Sequence, residues 1–207
     1  MKQIKLFMVM LLSLVGMTAA AQQPTLVSST ATPVNKSTLT KGTKYLIAAG
    51  PSTDSYYFNV NGAKVNAPLS EAQVFTYTKD NYLQRKSDGK YVNVVWSGSY
   101  YLTTSTSNQS MTISFSGNAA SIKPYISDYI DRYIISNGNN TAAAGVNKKQ
   151  SYNWYFYKAA VVTITYYDET NKKNINTVTY VGRVGDQLEW PAIKGYTLSS
   201  TETSSYS

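Results

Sequence analysis

From residue 41 onward, short runs of Tyr, Val, Ile and Thr alternate with clusters of Gly, Asn and Ser, and no window carries the apolar spacing of a long amphipathic helix. Runs at residues 45–48, 56–60, 74–77, 91–96, 100–104, 111–115, 132–136 and 154–157 predict strands, and hence an all-β chain. Residues 22–40 differ. They are rich in Ser, Thr and Pro without periodic apolar positions, which predicts a flexible lead-in to a body spanning residues 41–159.

Within that body the pattern repeats. Three hairpin-turn signals, Asn61-Gly62, Ser97-Gly98 and Asn137-Gly138, follow three related strands: Tyr57-Phe58-Asn59-Val60, Tyr91-Val92-Asn93-Val94 and Tyr133-Ile134-Ile135-Ser136. Each is followed by a closing apolar strand, with Phe75 and Tyr77, then Ile113 and Phe115, then Trp154 and Phe156. Matching openers are Tyr45-Leu46, Tyr82-Leu83 and Tyr125-Ile126, which sets units at residues 42–79, 80–118 and 119–159. Three units of about four short strands resemble a β-trefoil, a six-stranded barrel capped by three hairpins. Gln73-Val74-Phe75 comes nearest to the Gln-x-Trp closure of the ricin-type lectin trefoils. Another all-β barrel or sandwich is the alternative fold.

At Ala159-Ala160 the period stops. A strand ending in Tyr166-Tyr167-Asp168-Glu169, a Gly182-Arg183-Val184-Gly185-Asp186 turn and a late Lys194-Gly195-Tyr196 resemble a MucBP repeat, a β-grasp-like module of bacterial surface adhesins. The Listeria–Bacteroides surface repeat is the next most similar family. Where MucBP modules usually carry a turn glycine this chain has Thr170-Asn171-Lys172, and the usual final Val-x-Tyr strand is not found before Ser207. Residues 160–207 are therefore expected to form a module lacking its last strand, with an open edge that invites self-association. The resemblance implies mucin-type glycoproteins or glycans as partners.

The first 21 residues change the cellular picture. Lys2 and Lys5, an apolar run over residues 6–15 and Ala19-Ala20-Ala21 have the layout of a secretory signal peptide cut after Ala21. The apolar run is too short for a membrane span, so a secreted or cell-surface protein without membrane insertion is expected. With no cysteine there is no acylation site for a lipoprotein and no disulfide. Loss of the two signal lysines lowers the net charge from +8 to +6. The remaining lysines are scattered, unlike the dense basic stripe of a nucleic-acid binder.

The absence of histidine as well as cysteine removes Ser-His-Asp triads, Cys-His pairs and the common zinc sites. No cofactor motif is present, and a non-enzymatic binding role is expected. The second unit breaks the repeat by inserting Val95-Trp96 before its turn, which sets Trp96 opposite Tyr100 and Tyr101. Together with Asp88 and Asn93 these aromatics could form a sugar platform, rings stacking on a pyranose face while the polar groups bond its hydroxyls. The alternative places Trp96 as a plug in the barrel. Trp154, Phe156, Phe75 and Phe115 read as repeated core positions, and Trp190 as the core anchor of the last module. Asp128 and Asp131 could pair for glycoside hydrolysis but read better as surface charges beside Arg132. Beside glycan binding stands a second role, a spacer or protein-interaction fragment of a larger surface protein.

Overall fold

A computed structural model describes residues 2–4, 24–53, 55–61, 64–67, 73–126, 131–136, 145–168, 172–189 and 196–198. All regular elements among them are β-strands. The chain divides into two units, one formed by Ala31–Ala159 and the other by Met1–Thr30 together with Ala160–Ser207. The division falls where the tyrosine-rich period stops.

After β1 (Lys2–Ile4) and β2 (Thr25–Ser29), the body begins with β3 (Lys44–Ala48), β4 (Tyr57–Asn61), β5 (Lys64–Ala67) and β6 (Phe75–Tyr77). A second set follows: β7 (Leu83–Arg85), β8 (Tyr91–Trp96), β9 (Tyr100–Ser105) and β10 (Met111–Ser116). The third is β11 (Ala119–Pro124), β12 (Tyr133–Ile135), β13 (Gly145–Asn147) and the start of β14 (Tyr155–Asp168). Pairing repeats from set to set, always antiparallel. The first strand pairs with the second in β3–β4, β7–β8 and β11–β12. The second pairs with the third in β4–β5, β8–β9 and β12–β13. The fourth hands on to the next set in β6–β7 and β10–β11, and β14 closes the cycle on β3.

Apolar side chains on alternate positions of these short strands meet in one core. Phe58 lies 5.1 Å from Phe75 and 5.3 Å from Trp154, ring centre to ring centre, while Tyr45 and Phe115 both contact Phe156. Tyr45 stands opposite Phe75, and at the matching point of the third set Ala120 stands opposite Trp154. A small residue there leaves room for the indole, whose Nε1 donates to the Ile134 carbonyl at 2.6 Å. Tyr125 is thus not the third opener expected from its match to Tyr45 and Tyr82. It follows β11 and is 71% exposed.

Side-chain amides reinforce each set at the same place. Gln73 accepts from the Val60 N–H at 2.9 Å, and Gln109 accepts from the Val94 N–H at 2.6 Å and donates to the Val94 carbonyl at 3.2 Å. Asn153 donates to the Ser136 carbonyl at 2.8 Å. These amides sit just before buried Phe75, Met111 and Trp154 and serve backbone groups of Val60 in β4, Val94 in β8 and Ser136 just after β12.

The expected flexible lead-in is corrected. Val34 is buried in the body and its N–H donates to the Phe156 carbonyl, while the Asn35 side chain closes a turn by accepting from the Ser37 and Thr38 N–H groups. Thr25–Ser29, in the other unit, is strand β2. A strand that pairs along one edge, or a single residue that fills one core position, requires no periodic apolar run, which is why the segment looked featureless.

In the unit built from both chain ends, β15 (Lys173–Arg183) lies beside β14, and β16 (Asp186–Glu189) pairs antiparallel with β2. β17 (Tyr196–Leu198) pairs in parallel with β1. One edge of β16 is thus covered by β2. Lys172 holds the left-handed position before β15, with φ +52°, a conformation that glycine adopts without strain. Arg183 and Asp186 form a buried ion pair across the turn, and the Asp186 carboxylate also accepts from the Arg183 N–H at 2.7 Å and the Ser29 hydroxyl at 2.6 Å. Gly182 fits because a Cβ there would lie 2.6 Å from the Tyr180 ring. Trp190 lies outside the described residues.

Candidate functional site

The β8–β9 hairpin is longer than its counterpart in the first set, as the Val95-Trp96 insertion predicts. Its turn is not the two-residue Ser97-Gly98 type. Trp96 pairs with Tyr100, so the loop has three residues, Ser97 to Ser99, with Gly98 left-handed at φ +71° and the Ser97 N–H donating to the Ser99 carbonyl.

Strand alternation sorts the expected platform into two faces. Val92, Val94 and Trp96 share one face with their cross-strand partners Thr104, Leu102 and Tyr100. This is the core-facing side, and it runs outward from buried Val92 through half-buried Tyr100 to Trp96, which is 63% exposed. Trp96 is not a plug. Tyr101 is also exposed, at 46%, but it pairs with Val95 and points to the opposite face. Trp96 and Tyr101 therefore cannot contact one side of the same ligand.

Trp96 leans on Tyr100 with ring centres 4.8 Å apart and planes tilted by 59°. The Arg132 guanidinium sits over the same tyrosine, 4.5 Å from its ring centre. Arg132 was legible only as a neighbour of the acidic pair. It reaches Tyr100 from just before β12 in the third set, a proximity that strand pairing within one set does not create.

Asp88 and Asn93 do other work. Arg85, buried at the end of β7, donates to the Asp88 carboxylate at 2.9 and 2.5 Å and to the Val60 carbonyl at 2.9 Å. The Arg85 hydrogen bond holds the Asp88 carboxyl at about 2, well below the ordinary aspartate value. Asp88 also accepts from the Lys90 N–H, so it is a turn clamp. Asn93 is buried on the Tyr101 face, where, with its amide turned to match its surroundings, the nitrogen donates to the Tyr91 and Ser107 carbonyls at 2.8 and 3.1 Å. Its repeat counterpart Asn59 is equally buried, which marks a structural position. Neither residue belongs with Trp96.

Asp131 pairs with Lys123 at 2.5 Å, raising the pKa of that ammonium, and Asp128 lies outside the described residues. Among the described residues, no group of three carboxylates is placed to hold a metal ion, and no helix is long and apolar enough to cross a membrane. What the hairpin tip offers chemically is an exposed indole, a supporting phenol ring and a cation stacked on that ring. No family model, no curated protein and no solved structure matches this chain.

Proposed function

We propose that this is an exported, non-enzymatic protein that binds glycans or mucin-type glycoproteins through the tip of the β8–β9 hairpin. The observation that carries the reading is Trp96, exposed and braced on Tyr100 where the Val95-Trp96 insertion breaks the repeat. A solvated indole held at a fixed tilt provides an apolar face for the C–H side of a pyranose. Its bracing limits the entropy lost on binding.

The threefold pairing pattern and the closure of β14 on β3 support a β-trefoil for Ala31–Ala159. The Gly-x-x-Gly-Asp turn and the left-handed Lys172 support a MucBP-like module in the second unit. Export rests on the basic, apolar and small-residue order of the first 21 residues.

The test is a glycan array and a mucin pull-down with the full chain exported by its own leader. Binding by the wild type, lost in Trp96→Ala and kept in Tyr101→Ala, is the expected result, because the two rings occupy opposite faces. Equal binding by wild type and Trp96→Ala would remove the hairpin tip as the site.

A further inference from the structure

We infer that the Trp96 site selects acidic sugars, those carrying a carboxylate or a sulfate ester, and that Arg132 is the residue that reads the charge. The inference rests on the glycan-binding reading above and adds the ligand's chemical class.

Arg132 carries the argument because it is held in place yet largely uncommitted. Its guanidinium lies 4.5 Å from the Tyr100 ring centre, and Trp96 lies 4.8 Å from that same centre. Tyr100 therefore holds an indole and a cation against one and the same ring. Among the described residues the guanidinium makes one hydrogen bond, from Nη1 to the neighbouring Asp131 carbonyl at 3.1 Å. No carboxylate among them neutralises it, since the adjacent Asp131 is taken by Lys123.

An arginine has five N–H donors in a rigid fork, so one bond to a carbonyl leaves most of the fork available. That fork matches the paired oxygens of a carboxylate or sulfate, and stacking on a ring fixes its plane before the ligand arrives. Neutral hydroxyls gain less from it, because charge-assisted hydrogen bonds are about twice as strong. Acidic and neutral sugars should therefore share the Trp96 stack and differ at Arg132.

The experiment compares mucin binding by the wild type, Arg132→Gln, Arg132→Lys and Trp96→Ala, all checked for unchanged thermal unfolding. Untreated, sialidase-treated and chemically desulfated mucin distinguish carboxylate from sulfate. Wild-type binding should fall about tenfold or more when the relevant acid is removed. Arg132→Gln should bind untreated mucin as weakly as the wild type binds the stripped form. Arg132→Lys should recover only part of the affinity, because it keeps the charge but loses the fork. If stripping both acids leaves wild-type affinity unchanged, or if Arg132→Gln binds untreated mucin like the wild type, the inference is overturned while glycan binding stands. If no glycan binds and Trp96→Ala changes nothing, both readings fail. Should Arg132→Gln fold poorly, Arg132→Lys together with the stripped mucins still decides the matter.

Discussion

The Ala31–Ala159 body is held by aromatic rings from successive stretches of one sequence, whereas the other unit joins segments 157 residues apart at Ser29 and Asp186. Both contain the same small device, an Arg-x-x-Asp ion pair across a turn. In the body, Arg85 and Asp88 keep 10% and 32% of their side-chain surface; in the other unit, Arg183 and Asp186 keep 1% and 3%. The body tolerates a clamp whose carboxylate is partly solvated because its rings already fix the strands. In the second unit the pair is almost wholly buried, and its carboxylate also accepts from the Ser29 hydroxyl on β2. The same four-residue pattern is therefore partly solvated in one place and sealed from water in another.

The comparison can be tested by removing what each unit relies on. Trp154→Ala should cost the body about 3–5 kcal/mol in chemical denaturation, since it empties a fully buried site and frees the Ile134 carbonyl. Asp186→Ala should cost about 3 kcal/mol by removing the buried carboxylate that accepts from the Arg183 side chain and N–H and from the Ser29 hydroxyl. Hydrogen exchange should then speed up at Thr25–Ser29 and Asp186–Glu189 while β3 to β13 keep their protection. Equal loss in the body would break the distinction between the units. Gln109→Ala should cost about 1–2 kcal/mol in denaturant titration, because the Val94 N–H and carbonyl lose their partner.

The smallest effect belongs to the partly solvated clamp and is seen through pH. The folded pKa of Asp88 is about 2, below its unfolded value, so its contribution is full above roughly pH 4 and is lost as pH falls toward 2. In Asp88→Asn, the slope of unfolding stability against pH in that window should flatten. An unchanged slope would show that the pair contributes nothing to the body.

Why some of this was legible in the sequence has a physical basis. Tyr57, Tyr91 and Tyr133 recur because equivalent strands need equivalent side chains, and that recurrence located β4, β8 and β12. The partner strands β5, β11 and β13 were missed because Lys64-Val65-Asn66-Ala67, Ala119 to Pro124 and Gly145-Val146-Asn147 have weak strand propensity and are ordered by their neighbours. At the hairpin tip, the insertion identified Trp96 and Tyr100. Arg132 was missed as their companion because its contact depends on closure between sets, and Asp88 and Asn93 were misassigned because polar types fit a sugar site and a turn clamp equally well.

The pairing of β2 with β16 also fixes an order of events at the ribosome. β2 is made early and then waits while the intervening residues, including all of Ala31–Ala159, are synthesised. At roughly 5–20 residues per second, a gap of 157 residues between Ser29 and Asp186 lasts on the order of ten seconds or more. The body has every strand it needs before β16 exists. Throughout that interval the backbone of Thr25–Ser29 lacks its final partner and is open to any other unpaired strand, including β2 of a neighbouring nascent chain.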